Sequence, residues 1–257
     1  MTAKARDRQA ILGIDIGGSC IKGAPVDVER GELLADRRSI ETPNPACPEA
    51  VAGVIAELVG HFQWSGAVGC AFPAVIKCGV VLTAANVDKS WIGADGRELL
   101  ERHSGCEVTL LNDADAAGMA EMRFGAGRGR SGLVIMLTLG TGIGSALFID
   151  GRLVPNTELG HLILDGQVAE TRASGRVRTE EALSWEDWAT RLDEYLCYVE
   201  NLLNPDLFIL GGGVSAKHEQ FMRYLSAATP VVPAEMRNDA GIVGAALAVE
   251  AMHALHG

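Results

Sequence analysis

A chain of 257 residues with net charge −11 lacks the overall basic field of a nucleic-acid-binding protein, and its length suits two lobes sharing a cleft. Apolar residues make up 48% and charged residues 21%, which excludes a disordered chain. No secretory apolar stretch and no run of membrane-spanning length is present, so a cytoplasmic protein without a membrane partner is expected. The six cysteines form no C-x-x-C pair. No structural zinc is expected, and most of them read as small buried hydrophobes in a reducing compartment.

Behind the charged stretch Met1–Gln9, Ala10–Ile16 reads as a strand, Gly17-Gly18-Ser19 as a tight turn and Ile21–Val28 as the returning strand. A further turn over Asp27–Gly31 leads into Glu32–Ile40. Glycines let a backbone approach a phosphate closely, and Ser19 and Lys22 add side-chain donors; a plain hairpin would look the same. Pro48 opens a helix with Val51, Val54, Ile55, Leu58 and Val59 on one face. Ala67–Phe72 and Val80–Thr83 read as strands. The loop Asn86–Gly96 carries Trp91, which either lines a ligand site or simply packs.

The apolar run from Val108 ends at Asn112-Asp113 and passes into a helical pattern, Ala116–Arg123. A carboxylate there lies beyond the carboxyl end of a buried strand, where α/β proteins bind ligands. It can take a proton from a substrate hydroxyl, or one of the pair can cap the helix; the motif alone leaves both readings open. A loop with Arg123, Arg128 and Arg130 follows, either meeting a long anion or solvated.

Leu133–Leu139 is a strand, Gly140-Thr141-Gly142-Ile143-Gly144 a second glycine turn, and Ser145–Ile149 the returning strand. An offset of 123 lays this unit on the first hairpin, Gly17 falling on Gly140 and Asp27 on Asp150. Two such halves would offer two backbone clamps to one phosphate chain. Neither is a P-loop or a Rossmann fingerprint. Glu158-x-x-His161, with Glu170 beyond, supplies acceptors and an imidazole of the kind that read sugar hydroxyls, though a lone Glu-x-x-His is more often a surface or core detail, and metal binding, a third reading, lacks further ligands at fitting spacing. Ser184, with Asp187, caps a long helix whose stripe Trp185, Trp188, Leu192, Tyr195, Leu196, Val199 and Leu202 is core or a dimer contact. Asn204-Pro205 ends it. A buried strand, Asp206–Leu210, runs into Gly211-Gly212-Gly213, and Arg237-Asn-Asp239 caps a last helix, Ala240–Leu255.

Taken in order, Asp15-x-Gly-Gly-x-x-x-Lys22, Asn112-Asp113, the Gly140–Gly144 turn, Glu158-x-x-His161 and Gly211-Gly-Gly213 resemble the ROK family of sugar kinases and repressors. That resemblance implies the actin-like, ribonuclease H-like ATPase fold: an α/β lobe over residues 1–112, with helix 240–257 packing back on it, and a second α/β lobe over 113–239. Many members of the family carry a zinc-binding cysteine cluster after Glu-x-x-His; Ala169-Glu-Thr-Arg-Ala-Ser174 has none. In this the chain looks like the polyphosphate glucokinases. Thr42-Pro-Asn-Pro45, Ala173-Ser-Gly-Arg176, Leu183-Ser-Trp185 and Arg237-Asn-Asp-Ala-Gly241 resemble them too, while Asp193 departs from their usual Asn.

The roles implied are Asp113 as base, with Asn112, Glu158, His161 and Glu170 holding glucose. Asp15, Gly17, Gly18, Ser19, Lys22, Gly140, Thr141, Gly142, Gly144, Gly211, Gly212 and Gly213 lie at the phosphates of polyphosphate or ATP. Mg²⁺ stands near Asp15 through water, and a homodimer is the expected assembly. Lys22, Arg123, Arg128, Arg130 and Lys217 are candidates for a basic track along polyphosphate. The repressor branch would need a helix-turn-helix domain before the first strand, where only Met1–Gln9 stand.

Overall fold

The computed structural model describes residues 10–85 and 87–256, and the side chains of all of these but 254–256. Met1–Gln9, Asn86 and Gly257 lie outside the described residues. The chain forms two compact units, residues up to Ala120 with those from Asp239 onward, and Glu121–Asn238. The change of unit thus falls inside the helix Asp113–Phe124 rather than at its start.

In the first unit β1 (Ala10–Ile16) and β2 (Cys20–Asp27) form an antiparallel hairpin. The stretch read as one piece from Glu32 is two short strands. β3 (Glu32–Leu33) pairs with one end of β2 and β4 (Arg38–Glu41) with the other. β5 (Val68–Phe72) runs parallel to β1. A small hairpin, β6 (Ile76–Lys77) and β7 (Val80–Val81), precedes β8 (Val108–Asn112), which lies parallel to β5. The sheet order is β3-β2-β1-β5-β8.

Alternation along β1 and β5 explains what covers each face. Leu12, Ile14, Ile16, Val68, Cys70 and Phe72 share one core with Val51, Ile55 and Leu58 of the helix Pro48–His61. Gly13, Gly69 and Ala71 point the other way, toward the helix Ala240–His256. Lacking side chains, Gly13 and Gly69 let that helix's backbone come so near that a Cβ would strike the carbonyls of Ile242 and Ala245.

The helix Gly96–Ser104 was not expected from sequence, although its signals are there: Asp95 accepts from the Glu98 N–H at 2.9 Å, and Gly105 ends it with φ 69°. Trp91 is fully buried against Phe72 and donates Nε1–H to the Ala46 carbonyl at 2.9 Å, so the loop's tryptophan packs the core. Only Cys70 and Cys106 are buried, and Cys78 is exposed. The expectation of mostly buried thiols fails because Cys20 and Cys47 sit at element ends, Cys78 in a turn and Cys197 on a partly exposed side of the helix Trp185–Leu203.

The second unit repeats the arrangement. β9 (Leu133–Leu139) and β10 (Ile143–Ile149) form the hairpin, with β11 (Arg152–Val154) on its outer edge. A two-stranded piece, β12 (Ile163–Leu164) and β13 (Gln167–Val168), follows. β14 (Leu207–Gly211) lies parallel to β9, and β15 (Val231–Pro233) parallel to β14. The order β11-β10-β9-β14-β15 matches that of the first sheet, and the offset of 123 carries β1 onto β9 end for end. The helix Trp185–Leu203 buries Trp188, Leu192, Tyr195, Leu196 and Val199 against this sheet, so most of its stripe is core, while Leu202 is exposed.

Candidate active site

In the first unit the parallel strands β1, β5 and β8 end together. Asp15 pairs with Ala71 and Phe72 with Asn112, so Asp15 and Asn112 stand on one edge two strands apart, about 10 Å. Asn112 is the cap of the helix that follows. Its Oδ1 accepts from the N–H groups of Ala114 (2.9 Å) and Asp115 (3.0 Å), and its Nδ2 donates to the Ala74 carbonyl at 3.1 Å. That leaves one amide hydrogen for a ligand. Asp113, at the first helical position, is half-buried, and its Oδ1 accepts from the Ala114 N–H at 2.8 Å. Of the two residues that could cap, Asn112 makes the cap bonds to Ala114 and Asp115, and Asp113 stands beside it as a carboxylate at the strand's end.

Asp15 faces Lys22 across the hairpin. Burial pushes its carboxyl above the usual range, and Lys22 pulls it the other way. The turn between them is held by Thr42, whose Oγ1 donates to the Gly17 carbonyl at 2.6 Å and whose N–H donates to the Ser19 carbonyl at 3.1 Å. Gly18 and Ser19 are left exposed. Among the described residues no group of three or more His, Cys, Asp or Glu side chains could hold a metal ion. Mg²⁺ needs no such cage, being held through one or two carboxylates, water and substrate phosphates, and Asp15 is a carboxylate of that kind.

In the second unit His161 lies between two carboxylates. Its Nδ1 is 3.7 Å from Glu158 Oε2 and its Nε2 is 3.7 Å from Glu170 Oε1. Ser145 sets the position of Glu158: its Oγ donates to the Thr157 carbonyl at 2.6 Å and accepts from the Leu159 N–H at 3.0 Å. Glu170 begins a single helical turn, Glu170–Ala173, too short to persist alone. The turn is fastened to the long helix by Arg172–Glu194 at 2.8 Å and by Trp188 Nε1–H to the Ala173 carbonyl at 3.2 Å. Glu170 Oε2 accepts from the Ile143 N–H at 3.2 Å, tying the carboxylate to the second glycine turn. Sequence brought these three acids and bases together; the roles of Ser145 and Arg172 were not legible.

Burial raises the Glu158 carboxyl, His161 lowers it, and Glu170 raises it further. A raised carboxyl pKa means that the folded protein holds this proton more tightly than the unfolded chain. Its stabilising contribution is present at low pH and lost as pH rises through the folded pKa. At neutral pH the charged Glu158 therefore costs stability. Glu158→Gln should melt no lower than the wild type at neutral pH, and its advantage should shrink as the pH falls. Thermal melts across pH 4 to 7.5, upward from about the free glutamate pKa, check this, and a lower melting temperature at neutral pH would show Glu158 to be structural.

Both remaining glycine turns sit at the carboxyl edge of the second sheet, on neighbouring parallel strands, since Gly211 pairs with Thr138. Gly212 has φ 78°, and a Cβ there would stand 2.6 Å from the Leu139 N, so no other residue fits easily. Arg123, Arg128 and Arg130 are exposed; Arg123 stands in the last turn of the helix Asp113–Phe124, and the loop with Arg128 and Arg130 feeds the start of β9, not its end.

A model of the ROK family matches residues 11–177. The chain belongs to the ROK family, and its fold is the actin-like ATPase fold of that family's sugar kinases. Over 248 residues it is 50% identical to a polyphosphate glucokinase of Mycobacterium leprae, covering 96% of this chain and 76% of that protein. Over 238 residues it is 52% identical to a polyphosphate glucokinase of Mycobacterium tuberculosis, covering 92% and 90%. The crystal structure of an inorganic polyphosphate/ATP-glucomannokinase from Arthrobacter sp. strain KM superposes with a TM-score of 0.92 at 49% identity, covering 95% and 99% of the two chains.

Proposed function

We propose that this protein is a glucokinase that moves the terminal phosphoryl group of inorganic polyphosphate, and also of ATP, to the 6-hydroxyl of glucose. The observation that carries this is identity of about half over nearly the whole chain to polyphosphate glucokinases, joined to a carboxylate at the carboxyl end of β8. Asp113 takes the proton of the attacking hydroxyl as the new phosphorus–oxygen bond forms, and the shortened donor leaves. Glu158, His161 and Glu170 read the other hydroxyls, and Asn112 offers its remaining amide hydrogen. Gly17, Gly18, Ser19, Lys22, Gly140, Thr141, Gly142, Gly144 and Gly211–Gly213 are the backbone and side-chain groups assigned to the donor's phosphates. Asp15 would hold Mg²⁺ through water, and the ion would supply charge neutralisation for the phosphates.

The setting this reading implies is a cytoplasmic homodimer with soluble substrates and no nucleic-acid or membrane partner. Light scattering on the purified protein tests the dimer. A donor panel tests the function: glucose phosphorylation measured with long-chain polyphosphate, ATP and GTP, each with Mg²⁺. Turnover with ATP alone would make the protein an ATP-dependent ROK hexokinase. No turnover with any donor, despite measurable glucose binding, would make it a sugar sensor.

A further inference from the structure

A polyanion bound by a chain of net charge −11 must be met by local cations, and the structure changes which cations can serve. The loop carrying Arg128 and Arg130 enters the sheet at Leu133, where Gly132 N–H donates to Asp150 Oδ1 at 2.9 Å. From there β9 runs its full length before reaching Gly140, about 20 Å away along the strand. The cation that the fold brings to the glycine turn is a different one. Arg176 donates its backbone N–H to the Gly140 carbonyl at 2.9 Å. Gly175, just before it, lies so close that a Cβ would be 3.3 Å from the carbonyls of both Leu139 and Gly140. Its other neighbour is Val214, beside the third glycine turn. Ser174, fully buried, keeps a hydroxyl with no hydrogen-bond partner among the described residues at the same corner.

The Arg176 side chain itself is half-exposed, and among the described residues its ion-pair contact is a long one, to Glu180 at 3.9 Å. An exposed pair at that distance contributes almost nothing, so the guanidinium can turn to a phosphate at no cost in a lost partner. Its backbone is held in place by the turn, while its charge is uncommitted.

We propose that Arg176 is a specificity-determining residue for the donor: its guanidinium binds an inner phosphate of inorganic polyphosphate beside the Gly140 turn. This rests on the polyphosphate-dependent function proposed above. The Arg128–Arg130 loop then has no part in donor binding.

The experiment compares Arg176→Ala, Arg176→Lys and Arg130→Ala with the wild type, using long-chain polyphosphate with Mg²⁺ and saturating glucose. The expected result for Arg176→Ala is a roughly tenfold higher KM for polyphosphate and a shallower dependence of that KM on salt, with the KM for glucose unmoved. Arg176→Lys should recover part of the loss, and Arg130→Ala should behave as wild type. A KM for polyphosphate unchanged in Arg176→Ala, or raised equally in Arg130→Ala, overturns the assignment while leaving the proposed function standing. A wild type that turns over ATP but not polyphosphate overturns both.

Discussion

Replacing Asp113 by Asn should lower glucose phosphorylation by roughly 10²–10⁴-fold while glucose still binds, because the amide keeps the shape and loses the base. The geometry makes the substitution mild for the fold. Asp113 Oδ1 accepts from the Ala114 N–H at 2.8 Å, and an amide oxygen accepts that bond equally well. The capping that holds this helix start is done by Asn112, which Asp113→Asn leaves alone. Loss of turnover would therefore report chemistry. Asn112→Ala is the contrasting variant: it loses the cap and the bond to Ala74, and should cost stability on the order of 1 kcal/mol before anything else. Measuring kcat, glucose binding by calorimetry and the thermal melt for both variants separates the two roles. Near-wild-type turnover in a folded Asp113→Asn protein would remove Asp113 from the mechanism.

A second large effect is expected at Gly244, in the helix Ala240–His256. By helix propensity alone, alanine is better than glycine by roughly 1 kcal/mol, so Gly244→Ala should stabilise. The packing reverses the sign. A Cβ at this position would drive into the Ala116 carbonyl of the helix Asp113–Phe124, a backbone atom that no side-chain rotation can move aside. Overpacking of this kind costs roughly 1–3 kcal/mol, and backbone against backbone belongs at or above the top of that range. At about 2–4 °C per kcal/mol for a chain of this size, the melting temperature should fall by at least roughly 6 °C. Turnover should fall with it, since Ala116 lies one turn beyond Asp113. Gly53→Ala is the control. Gly53 is exposed in the helix Pro48–His61 with nothing within 4 Å of a Cβ, so there the propensity term should show alone as a small gain. If Gly244→Ala melts no lower than Gly53→Ala, the close packing of the last helix is wrong.

What the residues determine by themselves is local. The apolar runs of β1 and β9, the glycine turns beyond them and the offset of 123 between the two hairpins were all legible. Strand alternation and turn glycines are set by neighbours within a few positions. The Ser184 cap and the αL residue Asn204 bound the long helix for the same reason, with Ser184 Oγ accepting from the Asp187 N–H at 3.0 Å. The acids and bases of the candidate site could be named as residue types at characteristic spacings.

Only the tertiary structure decided the rest. Whether Asn112 or Asp113 caps the helix depends on Ala74, reached across the sheet edge from 38 positions earlier. The turn carrying Glu170 exists because Trp188 and Glu194, on another helix, hold it. β15 takes its place through parallel pairing with β14, a partner that no hairpin signal announces. Arg130 and Arg176 look alike in sequence, each a few residues from glycines. One stands at the start of β9 and the other at its end, and the length of a strand separates them. Which charges meet a phosphate is a matter of which strand end they occupy, and a pattern that repeats every two residues does not contain that information.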